Sequence, residues 1–230
     1  MKSVLVLLGV LLPLTCFGQS GLTGKGLFFP TPSVDSYVRL FPLKPLNLEA
    51  FTLCMRLYVD PTIVNDETRD TILFAYRTQD QDELNVWLES KNISLYLTNS
   101  LVGVTYPTPP LSIFRTNLCL TWESSTGLTA LWVDGHRSTL QAYGKNIQVQ
   151  SDGTVLLGQD PDSLLGDFDE SQSFVGEITD VNMWDYVLTG DQIRHFNDKV
   201  WVGPEPNVIN WDTVQYKGHG TAFVVPEKYK

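Results

Sequence analysis

The chain reads as all-β: an antiparallel two-sheet jelly-roll sandwich with one α-helix. Apolar residues alternate with period two in several stretches, and 17 Gly and 13 Pro punctuate the chain between them. A single segment switches to helical spacing. Many short strands separated by turn residues are the pattern of two packed antiparallel sheets.

Taken in order, Phe51, Leu53, Met55, Leu57 and Val59 occupy one phase of a half-buried strand. Thr71 to Tyr76, Leu84 to Leu88 and Ser94 to Leu97 follow as further strands. Leu118, Leu120 and Trp122 alternate in the next one, and Leu128 to Val133, Val155 to Leu157 and Phe174 to Val187 complete the set. Asp134-Gly135 and Asp152-Gly153 are turn signals between strands. Cys54 and Cys119 fall on the less apolar phase of their strands, where neighbouring strands can bridge. Thr189 stands three residues before Gln192 in a capping-box pattern, and Ile193, Phe196 and Val200 then recur at helical spacing. Trp122, Trp132, Trp184, Trp201 and Trp211 lie mostly within strand patterns, which favours core packing over sugar-stacking platforms.

Length and composition set the frame for these elements. The chain has 230 residues, 43% hydrophobic, enough for one globular domain with a sizeable core, expected over residues 19–230. Sixteen Lys and Arg against 26 Asp and Glu give a net charge of −10, so the chain as a whole repels phosphate backbones and no nucleic-acid partner is expected. Lys2, the apolar run Val4 to Leu14 and the small residues that end at Gly18 read as a signal peptide over residues 1–18. Its apolar core of 11 residues is well short of the roughly 20 that span a bilayer, and no later stretch is long enough either. The expected product is secreted and extracellular, without a membrane span. Removing Cys16 with the leader leaves Cys54 and Cys119, an even pair in an oxidising compartment, and so one disulfide. Asn92-Ile93-Ser94 is a glycosylation sequon at Asn92.

The chemistry-bearing stretch is Gly158-Gln159-Asp160-Pro161-Asp162, followed by Asp167, Asp169, Glu170 and Gln172. Carboxylates, amide side chains and backbone carbonyls are the hard oxygen ligands that calcium takes six to eight at a time. Asp160-Pro161-Asp162 begins like an EF-hand loop, but Leu164 and Leu165 stand where that loop needs a ligand and a Gly, which excludes it. A solvated acidic turn has the same composition, and both readings stand on these residues alone. Asp80-Gln81-Asp82-Glu83 is a second acidic run between two strands.

Asn117-Leu118-Cys119-Leu120-Thr121-Trp122-Glu123-Ser124 resembles the pentraxin signature (His, any, Cys, any, Ser or Thr, Trp, any, Ser or Thr) at four of five specified positions, with Asn117 in place of His. Trp132 to Gly135, Ser171 to Ser173 and Val181 to Asp185 are also similar to stretches of the short pentraxins, and the resemblance runs from about Phe28 to Phe223. It implies a flattened jelly roll with one long helix, assembled as a cyclic homopentamer, with two Ca2+ per subunit. The metal residues it implies are Asp82 and Glu83 from one loop and Asp160, the Pro161 carbonyl, Asp162, Asp169 and Gln172 from another. Relative to the family, Glu83 replaces an amide, and Asp160 and Asp169 replace Glu. The implied function is secreted, acute-phase pattern recognition in innate immunity, without catalysis. Calcium would offer open positions to a phosphate monoester of phosphocholine or phosphoethanolamine type on microbial or damaged-cell surfaces, with complement components as further partners. Leu88 and Thr98 stand at the implied ligand positions, while Gly103 replaces a carboxylate that would face a choline ammonium.

Two other classes draw on the same acidic residues. A calcium-dependent, lectin-like carbohydrate module fits the same ligands. Jelly-roll glycoside hydrolases need a carboxylate pair, for which Asp167 and Asp169 are the candidates, but no Glu-x-Asp-x-x-Glu arrangement is present. His136, His195 and His219 show no metal-ligand spacing, and no serine sits in a nucleophile-elbow pattern.

Overall fold

Among the described residues there are sixteen strands: β1 (Gln19–Ser20), β2 (Lys25–Phe29), β3 (Val38–Phe41), β4 (Ala50–Val59), β5 (Thr71–Arg77), β6 (Asp82–Glu89), β7 (Asn92–Leu97) and β8 (Val104–Pro107). They continue as β9 (Thr116–Glu123), β10 (Leu128–Val133), β11 (His136–Arg137), β12 (Gln141–Ala142), β13 (Thr154–Leu157), β14 (Gly176–Trp184), β15 (Gln215–Gly218) and β16 (Phe223–Pro226). The computed structural model describes residues 19–226 apart from 67, 110, 112 and 199–201. The signal segment 1–18, Val200 and Trp201 lie outside the described residues.

The first sheet has the order β1-β15-β3-β13-β5-β6-β7-β8, and the second β11-β10-β9-β4-β14-β2-β16 with β12 beside β10. Neighbouring strands run antiparallel throughout both. The main core lies between the sheets. On β4 the predicted phase holds: Phe51, Leu53, Met55, Leu57 and Val59 enter it. The opposite phase carries Cys54, which pairs in register with Cys119 and is bonded to it.

That disulfide lies under helix α2 (Gly190–Asn197), in a smaller cluster with Trp132, Trp184, Leu188, Ile193 and Phe196. The capping box forms as expected: Thr189 Oγ1 accepts from the Gln192 N–H, and Gln192 Oε1 accepts from the Thr189 N–H. A second, one-turn helix α1 (Pro61–Val64) was not anticipated. Asp60 caps it and Pro61 starts it, but four residues leave no helical periodicity to read. The expected strand over Phe174 to Val187 shortens to β14. β14 begins at Gly176, which sits at φ +132° with its missing Cβ position 2.1 Å from the Tyr58 carbonyl oxygen, a close approach that only glycine allows. Trp122, Trp184, Trp211 and Trp132 are all buried in the core clusters.

The connection from β13 to β14 positions the acidic stretch. The Phe174 N–H donates to the Gly158 carbonyl at 3.0 Å and closes the loop at its base. Gly158 has φ +94°, and a Cβ there would lie 2.2 Å from Phe29 Cε1. The loop folds back over the outer face of the first sheet, where Phe168 packs on Tyr37, Ile72, Ala75 and Leu156. A single 3-10 turn, Glu170–Gln172, follows, and Arg69 Nη2 donates to the carbonyls of Glu170 and Ser173. Site loop and long helix thus lie on opposite outer faces of the sandwich.

Candidate functional site

A β-bulge builds one side of the site. Arg77 pairs with Asp82 and Tyr76 with Leu84, so Glu83 is an extra residue in the β5–β6 ladder. Asp82 and Asn85 are three residues apart, and strict alternation would send them to opposite faces. The bulge puts both on the outer face, opposite Arg77 and Ala75. Glu83 goes the other way. It is 1% exposed, and its carboxylate accepts from the Gln150 N–H at 2.8 Å and from Gln81 Nε2 at 2.5 Å.

The β13–β14 loop supplies the other side. Asp160 is 5% exposed, and its Oδ1 accepts from Asn85 Nδ2 at 2.9 Å. Burial, with help from the Asp82 and Asp162 charges, pushes the Asp160 carboxyl up to about 7, against the opposing influence of Arg77 and the Asn85 hydrogen bond. Arg77 Nη1 holds Asp82 Oδ1 at 2.7 Å in a largely buried ion pair. Pro161 is buried, and Asp162 and Asp169 are exposed. Asp169 caps the 3-10 turn, and the Ser171 N–H and hydroxyl, each 2.8 Å from Oδ1, hold its carboxyl below the usual range. Gln172 ends that turn.

Of the expected metal residues, Asp82, Asp160 and Asp162 come together, Asp169 and Gln172 sit on the adjoining turn, and Glu83 faces away. Among the described residues no three His, Cys, Asp or Glu side chains form a group ready to hold a metal. The donor chemistry nevertheless fits a hard cation. Asn85 Oδ1, Gln172 Oε1 and Gln159 Oε1 are buried acceptors without a hydrogen-bond donor, and Asp160 is a buried carboxyl beside two other acids. Unsatisfied buried oxygens carry a free-energy cost that calcium coordination would remove. Asn85 and Arg77 were not anticipated. The signal for Asn85 was a lone amide inside the apolar run Leu84 to Leu88; Arg77 had none, because its role depends on the bulged register.

Leu88 is 6% exposed and faces the core, beside Ile63, Arg69 and Leu111 at a narrow recess. Thr98 is half-buried in the turn after β7, at φ +51°, and its N–H donates to the Glu83 carbonyl at 3.0 Å. At Gly103 a Cβ would lie 2.7 Å from Tyr96 Cε1 and 2.8 Å from the Leu95 carbonyl oxygen, so no side chain fits without backbone movement. Asn92 opens β7 after a tight turn, and its amide donates to the carbonyls of Glu89 and Ser90. Asp167 and Asp169 lie in the loop and do not share a strand face. His136, His195 and His219 are dispersed over β11, α2 and the segment after β15.

The model of the Pentaxin family matches residues 25–226. A C-reactive protein of Danio rerio is 49% identical over 213 residues, covering 91% of this chain and 92% of its own length. The C-reactive protein of Homo sapiens is 35% identical over 212 residues, covering 92% of each chain. In fold, the chain is similar to a heptameric SAP-like pentraxin from Limulus polyphemus, with a TM-score of 0.75 at 22% identity, over 89% of this chain and 96% of that one.

Proposed function

The chain belongs to the pentaxin family, and from that premise we propose that it is a secreted, calcium-dependent recognition protein without catalysis. Its ligands are phosphate monoester head groups, of phosphoethanolamine or phosphocholine type, on microbial or damaged-cell surfaces, and its setting is innate immunity. The observation that carries the proposal is the bulge-directed meeting of Asp82 and Asn85 with the buried Asp160. Asp82, Asp160 and the unpaired Asn85 oxygen share that outer face, which supports a cation site there.

Asp82, Asp160, Asp162, the Pro161 carbonyl, Asn85, Asp169 and Gln172 would hold the metal, two ions per subunit. When bound, calcium offers open coordination positions to a phosphate and reverses the sign of the local field. Burial holds the Asp160 carboxyl at about 7, so it would be partly protonated near neutral pH and would give up that proton to a bound cation. Arg77 holds Asp82 in position until then. Glu83 enters as a strut between β6 and Gln150, not as a ligand. A homopentameric ring with its sites on one face converts weak single contacts into avidity on a decorated surface and presents the opposite, helix-bearing face to complement components.

Retention of the secreted protein on immobilised phosphocholine and phosphoethanolamine, first in calcium and then in chelator, tests the proposal. Calcium-dependent retention that free ligand releases is expected. Failure on both supports, with calcium binding demonstrated separately, would overturn the phosphate reading. A lectin-like reading draws on one specific observation: Leu88 is in the core and Gly103 has no room for a side chain, so neither a ligand-facing apolar wall nor a choline-facing carboxylate is available. Competition by free monosaccharides but not by phosphate esters would favour it.

A further inference from the structure

The outer face of the first sheet also carries a cationic strip that the calcium site leaves unused. On β3, Val38 and Leu40 are buried in the core, so Arg39 and Phe41 turn outward. On β15, Tyr216 points inward, while Gln215 and Lys217 are exposed. The register sets Lys217 opposite Arg39 and Gln215 opposite Phe41. Like charges placed directly across a strand pair are unfavourable, and an anion bridging them removes that cost. Among the described residues no carboxylate forms an ion pair with either cation. The Arg39 guanidinium lies 4.8 Å from the Phe41 ring centre, and its Nε–H is buried without an acceptor. Beside them, Tyr37 and His219 stack with ring centres 4.3 Å apart.

This strip shares a face with the acidic site. Arg39, Leu156, Ala75 and Asn85 stand in one cross-strand row through β3, β13, β5 and β6. Three strand spacings put the β3 position about 14 Å from the β6 position. The loop that carries Asp160 and Asp169 crosses the strands between, with Phe168 resting on Tyr37. Strip and site therefore flank a single loop.

We propose that Arg39 and Lys217 form a calcium-independent subsite for an anionic polysaccharide, one with sulfate or phosphate groups spaced along the chain. The planar guanidinium donates to an oxyanion through paired N–H groups, and the ammonium adds a second charge on the neighbouring strand. The Phe41 ring under the Arg39 guanidinium holds that side chain on the outer face. In a chain of net charge −10, an unneutralised cationic pair is where an anion can land. The subsite uses none of the calcium residues, so it goes beyond the capture proposed above. A polymer long enough to touch both would gain avidity.

Binding of the secreted full chain to sulfated dextran and to a phosphorylated mannan, measured in chelator, separates the two anionic groups. The unmodified protein should bind at least one of them, with affinity falling as salt rises. Exposed Lys217→Gln should weaken binding about threefold, the Arg39→Gln, Lys217→Gln double variant about tenfold, and Lys217→Arg should restore it. Loss for only one polymer assigns its anionic group and supports the subsite. Absence of binding to both polymers in chelator, or binding unchanged by Lys217→Gln and the double variant, would overturn it. Because calcium is absent from the assay, failure of the calcium-dependent reading leaves these outcomes unaffected.

Discussion

Replacing Asp160 by Asn removes one buried ionisable group and keeps an oxygen to accept from Asn85 Nδ2. The native carboxyl is pushed from 3.8 to about 7, chiefly by burial and then by Asp82 and Asp162, a difference worth about 4 kcal/mol at most. Its folded pKa is raised, so the native state binds the proton more tightly than the unfolded chain. The associated stability is fully present below pH 3.8 and is lost as pH rises through about 7. In chelator the unmodified protein should therefore weaken between about pH 4 and pH 7 and level off above, on account of this group. Allowing half the upper figure for local relaxation, Asp160→Asn should be more stable at pH 8 in chelator by about 2 kcal/mol, roughly 4 to 8 °C in melting temperature. In calcium the order should reverse, because the variant lacks one charged ligand and gains less stability from the metal. Thermal denaturation from pH 4 to pH 8, with calcium and with chelator, measures both effects. A variant that is less stable at pH 8 in chelator, or that keeps the full calcium stabilisation, would refute the reasoning.

Three other outcomes are expected. Arg77→Ala breaks the 2.7 Å pair with Asp82; it should lower stability in chelator by about 1 to 3 kcal/mol yet tighten calcium binding, because a competing cation is gone, and weaker calcium binding in titration calorimetry would count against this. Gly158→Ala puts a methyl 2.2 Å from Phe29 Cε1 at a residue with φ +94°; denaturant melts should show a loss of about 2 kcal/mol or more, and a neutral result would mean the loop base is not tightly packed. Replacing Cys54 and Cys119 together by Ala opens a link spanning 65 residues; the expected loss is up to about 4 kcal/mol, read as a lower midpoint in denaturant, while an unchanged midpoint would show that packing under α2 suffices.

The β4 phase, the Asp134-Gly135 turn and the capping box of α2 were legible because each is a local pattern. Period-two alternation, a left-handed turn pair and a side-chain-to-backbone cap involve residues only a few positions apart. The peripheral strands β1, β11, β12 and β16 were not: two to four residues are too few to establish a period. The acidic stretches were legible as composition, and the family resemblance joined them into one site. Which side chains meet there was decided by the fold. One extra residue at Glu83 reverses the faces of everything before it on the strand, so Asp82 joins Asn85 while Glu83 turns to Gln150. The pairing of Lys217 with Arg39 likewise exists only once β15 docks beside β3, nearly 180 residues away in sequence. Residue type and local spacing determine what an element is, but cross-strand register determines which distant charges share a face, because the sheet pleat alternates side chains and a single inserted residue inverts that alternation.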